Sequence, residues 1–191
     1  MFRISFRVLL PILGVALLLP AAYARPANND DSNNCSDATI KGSYAFRVSG
    51  FIVAPSTPLA VVNYRDGVAI THFDGHGHLT QKDVIMANGV PNLNNPADVD
   101  PSSGFNTGET GSYQVFSDCT GVAEIDFPTP PGGTSGAVIK LKFVIAEHGK
   151  ILHTVVSSLM PPQPPPAGPP NTPALANIHS DAERIGDVND R

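Results

Sequence analysis

Ala137-Val138-Ile139-Lys140-Leu141-Lys142-Phe143-Val144-Ile145-Ala146 sets Ile139, Leu141, Phe143 and Ile145 in alternation with Val138, Lys140, Lys142 and Val144. Successive side chains of a β-strand point to opposite faces, so this period of two predicts a strand with one buried and one wet face. A shift of one residue would bury two ammonium groups, which assigns Leu141 and Phe143 to the core. Glu147-His148-Gly149 then turns the chain into a strand from Lys150 to Ser158, giving a hairpin.

The same grammar runs upstream. Lys41 to Phe51 places Tyr44, Phe46 and Val48 on one face. Leu59 to Arg65 and Val68 to Phe73 flank Asp66-Gly67, and Asp74-Gly75-His76-Gly77 leads into a strand from His78 to Ala87. Glu109 to Phe116 and Val122 to Phe127 lie either side of Ser117-Asp118-Cys119-Thr120, which puts Cys119 at a hairpin tip. No segment sustains a helical period for three turns. Eight short antiparallel strands in sequence order predict an all-β domain: an up-and-down barrel, whose closure removes exposed edges, with a β-sandwich as the alternative.

Outside residues 35–159 the composition changes. Residues 1–24 read as a signal peptide, with Arg3 and Arg7 as the basic region, Val8 to Leu19 as the apolar core and Ala22-Tyr23-Ala24 as the cleavage site. That core is shorter than the roughly 20 residues a spanning helix needs, so cleavage and release to the periplasm or medium are expected, with no stable membrane span. Residues 25–34 are polar and read as a flexible leader. Residues 160–191 begin with eight prolines between Pro161 and Pro173 and read as a Pro-rich disordered tail, with at most a marginal helix around Ala182 to Ile185.

Without Arg3 and Arg7 the chain has ten Lys and Arg against 17 Asp and Glu, a formal charge of −7. An acidic surface is a poor partner for nucleic acid. Cys35 and Cys119 are the two cysteines. In an oxidising compartment two is the number that closes one disulfide, and the spacing lacks the C-x-x-C of redox and metal sites. Closing a loop of 84 positions removes about 4.5 kcal/mol of chain entropy from the unfolded state in the simplest account.

Cys35-Ser36-Asp37-Ala38-Thr39-Ile40-Lys41-Gly42-Ser43-Tyr44-Ala45-Phe46, followed by Asp74-Gly75-His76-Gly77 and by Thr110-Gly111-Ser112-Tyr113 ahead of Cys119, resembles a group of secreted bacterial proteins with a C-x-x-A-T-x-x-G-x-Y-x-F start. The resemblance covers roughly residues 35–159. It implies a one-domain exported barrel and supports the cysteine pairing, but carries no activity or catalytic residue. More coarsely, Gly42-Ser43-Tyr44 opening an eight-stranded meander resembles calycin barrels such as lipocalins, and the allene oxide cyclase barrel. Lipocalins usually have Trp where Tyr44 stands, so their ligand pocket transfers only as an analogy of fold.

Candidate chemistry is sparse. His72, Asp74, His76 and His78 have spacing that zinc or copper would accept, but also read as a tight turn with its flanks. Asp98, Asp100, Ser102, Asn106 and Glu109 fall at calcium-loop positions, with Ser103 where the template needs Gly. Glu124 and Asp126 share a strand face as an acid/base pair would, although Ala123, Ile125 and Phe127 make the better buried side. His153 could point inward as a proton carrier or be structural. No hydrolase elbow, metalloprotease helix or phosphate loop is present, and no cofactor is implied. The expected function is a non-catalytic exported barrel binding a small apolar ligand or an envelope partner. The alternatives are a barrel-type isomerase acting on a lipid-like substrate, and a surface module using loops 88–108 and 128–136 and the proline tail. A filled interior would exclude the ligand-binding and isomerase readings; a hollow of several hundred Å³ would support them.

Overall fold

The computed structural model describes residues 34–54, 60–92, 96–163 and 172–186. The signal segment, most of the leader and the centre of the proline run lie outside the described residues.

Among the described residues nine strands form one antiparallel sheet: β1 (Gly42–Ala54), β2 (Ala60–Phe73), β3 (His78–Ala87), β4 (Val90–Pro91), β5 (Asn106–Val115), β6 (Thr120–Asp126), β7 (Val138–Ala146), β8 (Ile151–Met160) and β9 (Leu175–Arg184). Their order is β2-β1-β9-β8-β7-β6-β5-β3-β4, and β2 also pairs with β3. Eight strands therefore close an up-and-down barrel, and the two-residue β4 hangs on β3. No helix among the described residues is long and apolar enough to cross a membrane.

Two sequence expectations are corrected. Asp66-Gly67 is not a turn: Asp66 pairs with Ser49 on β1 and Met86 on β3, within one continuous strand. Glycine is needed there because a Cβ on Gly67 would lie 2.3 Å from the Val84 carbonyl oxygen. The disordered tail is likewise overturned for Leu175–Arg184, which is the eighth barrel strand, paired with β1 on one side and β8 on the other. Its inward residues Ile178, Ser180 and Ala182 are buried. They are mostly small because they face bulk: Ala182 pairs with Phe46 and with Leu152, and Ser180 with Val48 and with Thr154. Interdigitating small against large across strands is how a narrow barrel fills its wall.

The alternation in β7 is as expected, with Phe143 buried and Lys140 and Lys142 exposed. Gly121 on β6 is opposite Phe143, and a Cβ there would come within 2.2 Å of the ring, so the glycine makes room for the aromatic.

One end of the barrel is shut. Cys35 and Cys119 form a disulfide with Cα atoms 5.0 Å apart, and a 3₁₀ turn, Asp37–Ile40, follows the first cysteine. Asp37 accepts the Val115 N–H at 2.7 Å, and Tyr113 donates to the Asp37 carbonyl at 3.3 Å. Ile40 and Tyr44 are fully buried beneath this strap. Phe73 packs edge-on against both Tyr44 and Tyr113, at 5.5 and 4.9 Å between ring centres. β3, β6 and β8 end at the opposite end of the barrel.

Candidate functional site: a polar cluster in a hollow barrel

Above the aromatic floor the barrel is hollow. The cavity measures about 430 Å³, and its wall is chiefly Phe46, Val48, Ala69, Phe73, Leu79, Ile125, Leu141 and Phe143. Ile52, Arg65, Leu159, Pro161 and Pro162 line it towards the end away from the strap. A volume of this size would admit a small molecule, and the wall would cover mostly apolar surface.

Besides Arg65, Asn92 and His179, polar side chains interrupt the wall on two sides, and of the buried acids Asp83 and Glu109 the first lines the cavity while the second does not. On one side Thr154 and Ser180 share a hydrogen bond of 2.5 Å. On the other, Thr71 donates to Gln81 at 2.8 Å, and Asp83 on β3 meets β5. Asp83, Asn106 and Glu109 are all buried, with exposures of 1, 3 and 1 %. Asn106 donates one N–H to Asp83 at 2.8 Å and directs its amide nitrogen to the Asn92 carbonyl at 3.3 Å. Glu109 stands opposite Gln81, and neither of its carboxyl oxygens has a hydrogen-bond partner.

Burial sets the charge of this cluster. Desolvation pushes Asp83 up to about 6, partly offset by the Asn106 hydrogen bond. Glu109 is pushed up to about 8, mainly by desolvation, then by repulsion from Asp83 and, more weakly, from Asp98; its own backbone N–H acts the other way. Near neutral pH Asp83 is ionised and Glu109 keeps its proton. The pair can hold one proton, donate it, or accept a cation in its place.

The sequence candidates fare differently. Tyr44 and Tyr113 are core, and Tyr64 is outside at 64 % exposure. Glu124 faces out and pairs with Lys140 at 2.8 Å, while Ala123 and Ile125 face in. His153 is on the outer surface, 2.6 Å from Asp181, so it carries no proton inside the barrel. His72, His76 and His78 are exposed; the Asp74 carboxylate is engaged by the backbone N–H groups of His76 and His78 at 2.6 and 3.0 Å and closes the turn. Asp100 is held by Ser102 and Ser103 within its own turn, which lowers it to about 2. Glu109 instead faces the barrel interior, so the calcium template is not assembled. Among the described residues no three acidic, histidine or cysteine side chains converge as metal ligands.

Asp83 was not among the sequence candidates, and Glu109 entered only through the calcium template. Strand parity is the signal that finds both: Leu79, Gln81 and Asp83 share one face of β3, and Glu109, Tyr113 and Val115 share one face of β5. An acid at a core parity position is the anomaly.

Compared with known proteins, the chain matches no family model, no curated protein and no solved structure.

Proposed function

We propose that this protein is an exported binding barrel that takes a small, predominantly apolar ligand into its interior. The observation that carries the reading is the cavity of about 430 Å³, closed at the strapped end and lined by aliphatic and aromatic side chains. Burying a ligand's apolar surface against such a wall contributes about 25 cal/mol per Å² before the costs of association. Export is supported by the amino-terminal pattern of the sequence and by the disulfide, which suits an oxidising compartment. The resemblance to calycin barrels runs in the same direction.

A neutral fluorescent probe, N-phenyl-1-naphthylamine, tests the cavity. Its emission should rise on mixing with the protein and fall again on adding a competing alkane alcohol. Ala123→Phe, which puts a ring into the hollow, should abolish the signal while leaving the far-ultraviolet spectrum unchanged. Absence of binding to the native protein, or binding indifferent to the filled cavity, overturns the reading.

A further inference from the structure

We propose that Arg65 is the receptor for the polar end of the ligand, and that this end is a carboxylate on an aliphatic body. The inference rests on the cavity-binding reading and adds the ligand's chemical class.

Strand parity puts Arg65 inside. Ala69, Thr71 and Phe73 are buried on one face of β2, whereas Tyr64, Asp66 and Val68 are exposed on the other. Arg65 shares the inward face and lines the cavity. Its cross-strand neighbours are Gly50 on β1 and Ala87 on β3, two small residues that leave width for a long side chain. Burial lowers its pKa from the ordinary value, yet a guanidinium keeps its charge in a protein.

What this cation lacks is an acceptor. Arg184, at the strapped end, is engaged by the Tyr44 hydroxyl and the Thr39 carbonyl. Among the described residues the Arg65 side chain has no hydrogen-bond acceptor and no carboxylate within ion-pair distance. Asp66 is on the outer face. Asp83 pairs with Ala69, four residues deeper along β2 than Arg65, which is roughly 13 Å of strand. What shifts Asp83 is its own desolvation and the Asn106 hydrogen bond, with no contribution from Arg65. Segments 55–59, 93–95 and 164–171 contain no Asp or Glu.

An unpaired guanidinium in an apolar wall selects its ligand. Its planar fork of N–H donors matches the two oxygens of a carboxylate, and one positive charge balances one negative charge. An ammonium would be repelled, and an alcohol brings no charge. A phosphate dianion would bring a second negative charge, and among the described residues no Lys and no second Arg lines the cavity to meet it. Position agrees with chemistry. Ile52, Ile85 and Leu159 line the cavity together with Arg65, and Phe73 on the floor is eight residues further along the same face of β2, roughly 26 Å of strand. A head held at Arg65 leaves its aliphatic body directed at that floor, against apolar wall.

Calorimetry with octanoate, octanol, octylamine and octyl sulfate on the full chain, disulfide intact, tests this at pH 7. Octanoate should bind at least about tenfold more tightly than octanol, octylamine more weakly than octanol, and octyl sulfate no more tightly than octanoate. Arg65→Gln should remove the advantage of octanoate and keep octanol binding within about threefold of native, which also shows that the variant is folded. Equal affinity for octanoate and octanol in the native protein, tighter binding of octylamine or octyl sulfate than of octanoate, or an octanoate preference that survives Arg65→Gln overturns the proposal. Octanol separates the two claims: if it binds and octanoate shows no advantage, the cavity reading stands and the receptor reading falls. If none of the four binds, both fall.

Discussion

Arg184, the last residue of β9, donates to the phenolic oxygen of Tyr44 on β1 through Nε at 3.1 Å and Nη2 at 2.9 Å. The two are cross-strand partners. The same guanidinium donates to the Thr39 carbonyl at 2.6 Å, and the Tyr44 hydroxyl donates to the Gly149 carbonyl. One contact thus joins the final strand, the first strand, the strap and the β7–β8 turn. Burial raises the Tyr44 hydroxyl above its ordinary pKa, although the Arg184 guanidinium pulls the other way, so it stays a neutral hydrogen-bonding hub.

Ending the chain at Met160 should destroy cooperative folding, because it removes β9 and leaves β1 and β8 with open edges. Thermal unfolding followed by circular dichroism is the check. A truncated chain that melts within a few degrees of the full one would mean that β9 is an ornament on an already closed barrel.

Phe143→Ala should destabilise by about 3–5 kcal/mol, as large core truncations do, since its ring fills the space left by Gly121. Lys142→Ala, on the exposed face of the same strand, should stay within about 0.5 kcal/mol. Urea titration of both variants measures the pair. A larger loss for the lysine would reverse the assigned faces.

Replacing both Cys35 and Cys119 by alanine should cost about 2–4 kcal/mol and raise hydrogen exchange in residues 35–41 before the rest of the barrel. The native protein should show no free thiol by mass spectrometry without reduction. Two alkylatable cysteines would remove the strap from the account.

Stability should fall as the pH rises from about 5 to about 8. Folded Glu109 titrates at about 8 against an ordinary 4.5, so in this window the folded state holds a proton that the unfolded chain has released. Asp83, at about 6, acts in the same direction over the lower half. The linked penalty at pH 8 amounts to a few kcal/mol, about 1.4 for each pH unit separating the folded and unfolded values. Glu109→Gln should flatten the profile and melt higher than the native protein at pH 8. Asp74, Asp100 and Asp118 are shifted down, so their contribution is lost only at more acidic pH. A profile that is flat from pH 5 to 8 in the native protein would show that Glu109 is not buried as described.

The sequence by itself determined the all-β class, the faces of β7, the tips at Asp74-Gly75 and Cys119, and the cysteine pair available for a bridge. Each is a local property: a period of two, a turn former, an even count. Strand closure was not of this kind. Ala176, Ile178, Ser180 and Ala182 carry too little apolar contrast to announce a buried face, and the alanines and charges around them favour a helix as readily. Their small volumes become meaningful only opposite Phe46, Val48 and Leu152, a fit that belongs to pairs of strands far apart in the chain. The hollow and its acids follow the same rule. Asp83 and Glu109 are on different strands, separated by the loop that carries β4, and only β3–β5 pairing buries them near one another, where desolvation and mutual repulsion together hold the proton on Glu109.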